Sequence, residues 1–78
     1  MYWVYAISSK NRNYIYVGLT SDLKGRLMRH QKGYERTTKP YRPFQLIYTE
    51  QLITRQEARL REKYLKSGAG KEFLKGLL

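Results

Sequence analysis

No cysteine occurs among the 78 residues, which excludes a disulfide framework and a thiolate zinc site and fits a reducing compartment such as the cytoplasm. Acidic residues are few, 6 against 16 Lys and Arg, so carboxylate chemistry is confined to a handful of positions. No apolar run is long enough to span a bilayer and no charged-then-apolar leader opens the chain, so a membrane is not an expected partner. Proline is restricted to Pro40 and Pro43, which leaves the rest free to form regular elements. No internal repeat or low-complexity tract is visible, and the length suits one domain, residues 1–78.

What is abundant points one way. The formal net charge is +10, and such an excess on a short chain attracts polyanions, nucleic acid first among them. The alternative is a solvated basic surface with no specific ligand. There are 8 tyrosines, each with a hydroxyl that wants a partner when buried, so some should line a site.

Tyr2 to Ile7 is aromatic or β-branched except for Ala6, the stretch Ser8 to Asn13 is polar, and Tyr14 to Gly18 resumes the pattern, predicting a hairpin. If Ile7 pairs with Tyr14, Tyr5 lies opposite Tyr16 on one face. Thr20 or Ser21 can cap a helix whose first turn holds Asp22 and which runs to about Lys32, with Gly33 as its stop. Its apolar stripe collects Leu23, Leu27, His30 and Tyr34, with Arg26 at the edge and Arg29 further round. Tyr34 to Pro43 reads as a basic loop, and Phe44 to Thr49 as a third strand. Thr54-Arg55-Gln56-Glu57 is a capping box for a second helix reaching about Lys66, and Ser67-Gly68-Ala69-Gly70 ends it. Phe73, Leu74, Leu77 and Leu78 then predict a short last helix packing an apolar stripe on the core. The expected fold is α+β, a small three-stranded antiparallel sheet flanked by helices in the order β-β-α-β-α-α.

Hydrolysis of a phosphodiester needs a group to activate water, cations on the phosphate, and a counter-charge for the departing oxygen, usually a carboxylate-held metal. Asp22 and Glu57 serve helix N-termini, Glu35 lies in the basic loop, Glu50 ends a strand and Glu72 opens the last helix. Glu62 remains, on a face with Ala58 and Leu65 that points toward the packed side. An ordinary ion pair with Lys66 one turn on is the competing reading.

Trp3-Val-Tyr-Ala-Ile7 followed by Tyr14-Ile-Tyr-Val-Gly-Leu-Thr-Ser-Asp-Leu-Lys-Gly-Arg26 resembles the signature of the GIY-YIG nuclease superfamily. Tyr16-Val17-Gly18 matches the second half of that name and Val4-Tyr5-Ala6 the first; Ala58 to Lys66 is similar to the family's metal-binding helix. The likeness extends from Tyr2 to about Leu74, toward short single-domain bacterial members related to the nuclease module of the ABC excinuclease of nucleotide excision repair. It implies an endonuclease acting on DNA, branched or nicked forms included, in repair or recombination, with one magnesium or manganese ion on Glu62. It further implies that Tyr5 or Tyr16 is the general base, that Arg26 grips the scissile phosphate, and that His30 is a core histidine or hydrogen-bonds into the site. Many members carry an asparagine after the metal-binding helix, and none follows Glu62 here.

Gly18 is expected to let the phosphate or the Arg26 helix approach the strand end closely. Arg29, Lys32, Arg36, Lys39 and Arg42, interleaved with Tyr34, Tyr41 and Phe44, have the makeup of a backbone-tracking surface without a base-reading code. A non-catalytic nucleic-acid-binding module and a protein-binding adaptor are the competing functions. The oligomeric state is open, with a monomer as the working expectation.

Overall fold

The computed structural model describes residues 1–78. The aromatic and β-branched run at the start becomes β1 (Tyr2–Ser9), followed by β2 (Ile15–Thr20), α1 (Leu23–Lys32), a 3-10 turn (Lys39–Tyr41), β3 (Phe44–Leu52), α2 (Arg55–Lys66) and α3 (Gly68–Lys75). The sheet is antiparallel with β1 in the centre, in the order β2-β1-β3. A central strand covered on both faces must be apolar at successive positions, and Val4, Tyr5, Ala6 and Ile7 are all buried.

Alternation along β1 separates two layers. Val4 and Ala6 join Val17, Ala58, Leu65 and Leu74 beneath α2 and α3. Tyr5 and Ile7 join Phe44 on the other face, with Tyr14, Tyr16, Leu23, Leu27 and Tyr41 packed around them. A bulge in β3 makes this second layer possible. Ala6 pairs with Tyr48 but Ile7 with Leu46, so Ile47 is an extra residue; without it Phe44 would face α2 and α3.

The hairpin register differs from the expected one by two residues. Ile7 pairs with Tyr16 and Tyr5 with Gly18, because β1 continues through Ser8 and Ser9 into what reads as a polar break. The Ser9 hydroxyl accepts from the backbone N–H of Asn11 and Arg12, and Ser9 N–H bonds the Tyr14 carbonyl at 2.9 Å, which closes a tighter turn. A shift of two keeps every side chain on its face, so Tyr5 and Tyr16 still share one surface, diagonally.

Other boundaries move for local reasons. Asp22 caps α1, accepting from Gly25 N–H, in place of Thr20 or Ser21, while the Thr20 hydroxyl accepts from Asp22 N–H. Gly33 ends α1 in the left-handed region at φ 79°, and Tyr34, expected on the apolar stripe, is exposed. The capping box at Thr54 and Glu57 forms as the sequence predicts. Ser67 ends α2 and caps α3, accepting from Gly70 N–H, so Gly68 to Gly70 form the first turn of a helix and not a break. A Cβ on Gly70 would collide with the backbone of Tyr64 and Leu65, so this glycine is where α3 closes on α2. Leu74 alone of the last apolar set is buried; Phe73, Leu77 and Leu78 are exposed.

The Glu50 carboxylate ties α2 to β3, accepting from Arg61 Nε and Tyr48 Oη, both at 2.7 Å. No helix is long and apolar enough to cross a membrane.

Candidate active site

Tyr5 occupies the centre of the α1-side layer and is wholly buried. Its ring lies across the neighbouring strand over Gly18, where a Cβ would collide with the Tyr5 hydroxyl and Cζ. The missing side chain at Gly18 therefore makes room for the Tyr5 phenol, a close approach within the sheet that the sequence did not suggest.

The Tyr5 hydroxyl is 2.7 Å from His30 Nε2, and His30 Nδ1 is 2.8 Å from Thr38 Oγ1. Thr38, also wholly buried, directs its own hydroxyl to the Glu35 carbonyl at 3.4 Å. With that proton committed, Thr38 Oγ1 accepts from Nδ1–H, which assigns the tautomer: Nε2 carries the lone pair and accepts from Tyr5. His30 thus joins both expected roles, a buried histidine whose hydrogen bond reaches the site.

Burial governs the protonation of this pair. It pushes the Tyr5 phenol well above its ordinary range, with Tyr16 adding to the rise and Arg26 partly offsetting it. It pushes the His30 imidazole down, opposed by Glu35 and reinforced by Arg26 and Arg29. Burial thus keeps the Tyr5 phenol protonated at neutral pH.

Tyr16 differs. It is half-buried, its ring centroid is 6.3 Å from Tyr5 and 5.1 Å from His30, and its hydroxyl bonds no protein group. Arg26, one turn before His30 on α1, lies near enough to act on the Tyr5 phenol and is 3.7 Å from the Glu35 carboxylate. Tyr5, Tyr16, Arg26 and His30 are thus gathered on one face of the sheet.

Arg29 meets the same acid at the surface, donating from Nε to Glu35 Oε1 at 2.8 Å, and this bond holds the Glu35 carboxyl below its usual range. In the sequence Glu35 reads only as part of a basic loop, and the one signal it carries is being the sole acid in that stretch. Thr38 carries none. Lys32, Arg36, Lys39 and Arg42 are exposed; Lys39 and Arg42 line an open groove with Gln31, Pro40 and Pro43, and Arg42 Nε donates to the Lys39 carbonyl at 3.2 Å.

Glu62 stands apart from this group. It is buried and carried by α2, whose core residues Ala58 and Leu65 belong to the layer on the other face of the sheet. Its oxygens are held by Arg59 at 3.2 Å and Lys66 at 3.3 Å, so the ion pair with Lys66 does form. No three His, Asp or Glu residues cluster to cage a metal. A lone carboxylate could anchor only a largely hydrated hard cation such as magnesium, and here both Glu62 oxygens face cationic side chains, Arg59 and Lys66, each more than half exposed.

The comparisons with known proteins agree on one family. The model of the GIY-YIG catalytic domain matches residues 1–74. The UPF0213 protein SSP2268 of Staphylococcus saprophyticus is 32% identical over 75 residues, covering 95% of this chain and 90% of the relative. The UPF0213 protein SH2523 of Staphylococcus haemolyticus shares the same identity and coverage. No solved structure matches significantly. With a match over nearly its whole length and the motif tyrosines side by side on one face of the sheet, the chain belongs to the GIY-YIG family, a nuclease-type family.

Proposed function

We propose that residues 1–78 act as one endonuclease domain that hydrolyses DNA phosphodiester bonds with the help of one magnesium or manganese ion. The observation that carries this reading is the cluster of Tyr16, Arg26, His30 and Tyr5 on one sheet face, with a hydroxyl on Tyr16 that bonds no protein group and the Arg26 guanidinium close to the Tyr5 phenol. Arg26 offers a planar donor fork to the phosphate and steadies charge there as the pentavalent state forms. Tyr16, with no protein partner for its hydroxyl, orients the attacking water and, as its phenolate, takes up the proton that the water loses, becoming the neutral phenol. Tyr5 and His30 fix the wall against which Tyr16 packs.

Glu62 would hold the metal, which when bound supplies counter-charge for the departing 3′ oxygen. α2 packs against β2, the edge strand that also carries Tyr16 and Gly18, as well as against β1, so a nucleic-acid backbone crossing that edge would meet both layers. Lys32, Arg36, Lys39 and Arg42 would track the backbone on either side of the cut. The test is nicking of supercoiled plasmid with magnesium by the wild type, Glu62→Ala and Tyr16→Phe. Loss of cleavage in both variants supports the proposal, and magnesium-dependent cleavage that survives Glu62→Ala overturns it.

A second reading has one observation in its favour. Both Glu62 oxygens are already held by Arg59 and Lys66, as in a module that binds nucleic acid without cutting it. A wild-type chain that shifts branched or nicked DNA yet leaves it intact with magnesium and manganese would establish this reading.

A further inference from the structure

Glu35 is the one acid between Lys32 and Arg42, and it has two separate attachments. Its carboxylate faces two arginines of α1: Oε1 accepts from Arg29 Nε at 2.8 Å and Oε2 lies 3.7 Å from Arg26 Nη1. Its backbone carbonyl accepts from Lys39 N–H at 2.9 Å, Thr38 N–H at 3.2 Å and the Thr38 hydroxyl at 3.4 Å. The first attachment is at the surface, with the Arg26, Arg29 and Glu35 side chains 36%, 50% and 25% exposed. The second is anchored on Thr38, which is wholly buried.

Two guanidinium groups converging on a pair of anionic oxygens form the arrangement in which arginines bind a phosphate. Exposed ion pairs contribute little to stability, so the bridge is free to exchange. We infer that Glu35 is an internal counter-ligand of the Arg26–Arg29 pair, standing where a nucleic-acid phosphate binds and giving way to it; this rests on the reading of the chain as a DNA-binding nuclease. The carbonyl anchor keeps the Thr38–His30–Tyr5 chain in place while the carboxylate lets go, so the site stays assembled as the arginines change partner. The released carboxylate gathers a cation from solution, which subtracts from the counterions that the arginines free from DNA. Glu35 is in this sense a positioning residue that also sets affinity.

The experiment measures binding of a short fluorescein-labelled duplex in EDTA, where cleavage plays no part, for the wild type, Glu35→Gln and Glu35→Asp across a salt series. Glu35→Gln is expected to bind about fivefold tighter at low salt and to steepen the slope of log affinity against log salt by about one. Glu35→Asp, which keeps the charge, is expected to retain the wild-type slope. Equal or weaker binding by Glu35→Gln with an unchanged slope overturns the inference. So that nothing depends on the fold of a variant, the Arg29 Nε–Hε resonance of the wild-type chain is followed by NMR as duplex is added. It is expected to move, and a stationary resonance while backbone amides shift overturns the exchange. A wild type that binds no duplex at all overturns both this inference and the DNA-binding reading; a wild type that binds like Glu35→Gln overturns this inference alone.

Discussion

The Tyr5 hydroxyl and His30 Nε2 meet at 2.7 Å between β1 and α1, with both groups buried. This bond separates the two tyrosines of the family motif into different kinds of residue. Tyr5 has a committed, protonated hydroxyl, and Tyr16 has a free one.

Tyr5→Phe removes the donor and leaves the Nε2 lone pair buried without a partner, so it should destabilise the chain by about 1–3 kcal/mol. Tyr16→Phe loses a hydroxyl that bonds no protein group, and its stability should stay within about 0.5 kcal/mol of wild type. If Tyr16 activates water, its substitution slows plasmid nicking by about 100-fold or more. Urea denaturation and nicking assays on both variants check this. Equal stability losses, or a Tyr16→Phe enzyme that nicks at the wild-type rate, would contradict the division of roles.

His30 carries a pH signature. Its folded pKa lies below the ordinary 6.5, chiefly through burial, so the unfolded chain binds a proton the folded one refuses. The stability from neutral His30 is complete above about pH 6.5 and is lost as pH falls from there through the folded pKa. Glu35, with a folded pKa below 4.5, adds a loss in the same direction only at lower pH. The melting temperature of the wild type should therefore fall between pH 7 and pH 5, and that of His30→Gln should vary less over the same interval. Parallel profiles would count against a buried neutral imidazole.

The sequence made the element order legible because its signals are local: the capping box at Thr54 and Glu57, the glycine stop at Gly33 and the β-branched run of β1 each depend on neighbours a few residues away. The register was not, since Ser8 and Ser9 read as a break while their tertiary environment buries them. Arg26 and Tyr16 were legible through spacing within one motif. Glu35 and Thr38 were not, because their roles arise from side chains that approach only when the basic loop folds back on α1. Glu62 illustrates the opposite case: its inward-facing position could be read from helical periodicity, but the side of the sheet on which α2 lies could not.

Gly18→Ala tests why the motif glycine is there. A Cβ at this position meets the Tyr5 phenol, so a single methyl should cost about 1–3 kcal/mol through overpacking. The penalty should shrink when Tyr5 is Leu, giving a coupling of about 0.5–3 kcal/mol in a double-mutant cycle. If the glycine instead kept space for a phosphate, Gly18→Ala would leave stability unchanged and weaken DNA binding. Denaturation curves of the four proteins separate the two.

Gln31 is exposed, and exposed substitutions usually change stability by no more than about 0.5 kcal/mol. Its side chain, however, makes a reciprocal pair with the first residue of β3: Nε2 donates to the Phe44 carbonyl at 2.8 Å and Oε1 accepts from Phe44 N–H at 2.9 Å. These bonds pin the start of an edge strand to α1, at the residue whose ring packs edge-on against His30. Gln31→Ala should therefore destabilise by about 1–3 kcal/mol and speed hydrogen exchange at the Phe44 amide. Gln31→Glu retains the acceptor but loses the donor, so Phe44 N–H should stay protected while the overall loss is intermediate. Unchanged exchange at Phe44 in Gln31→Ala would show that the bulged strand holds its own start.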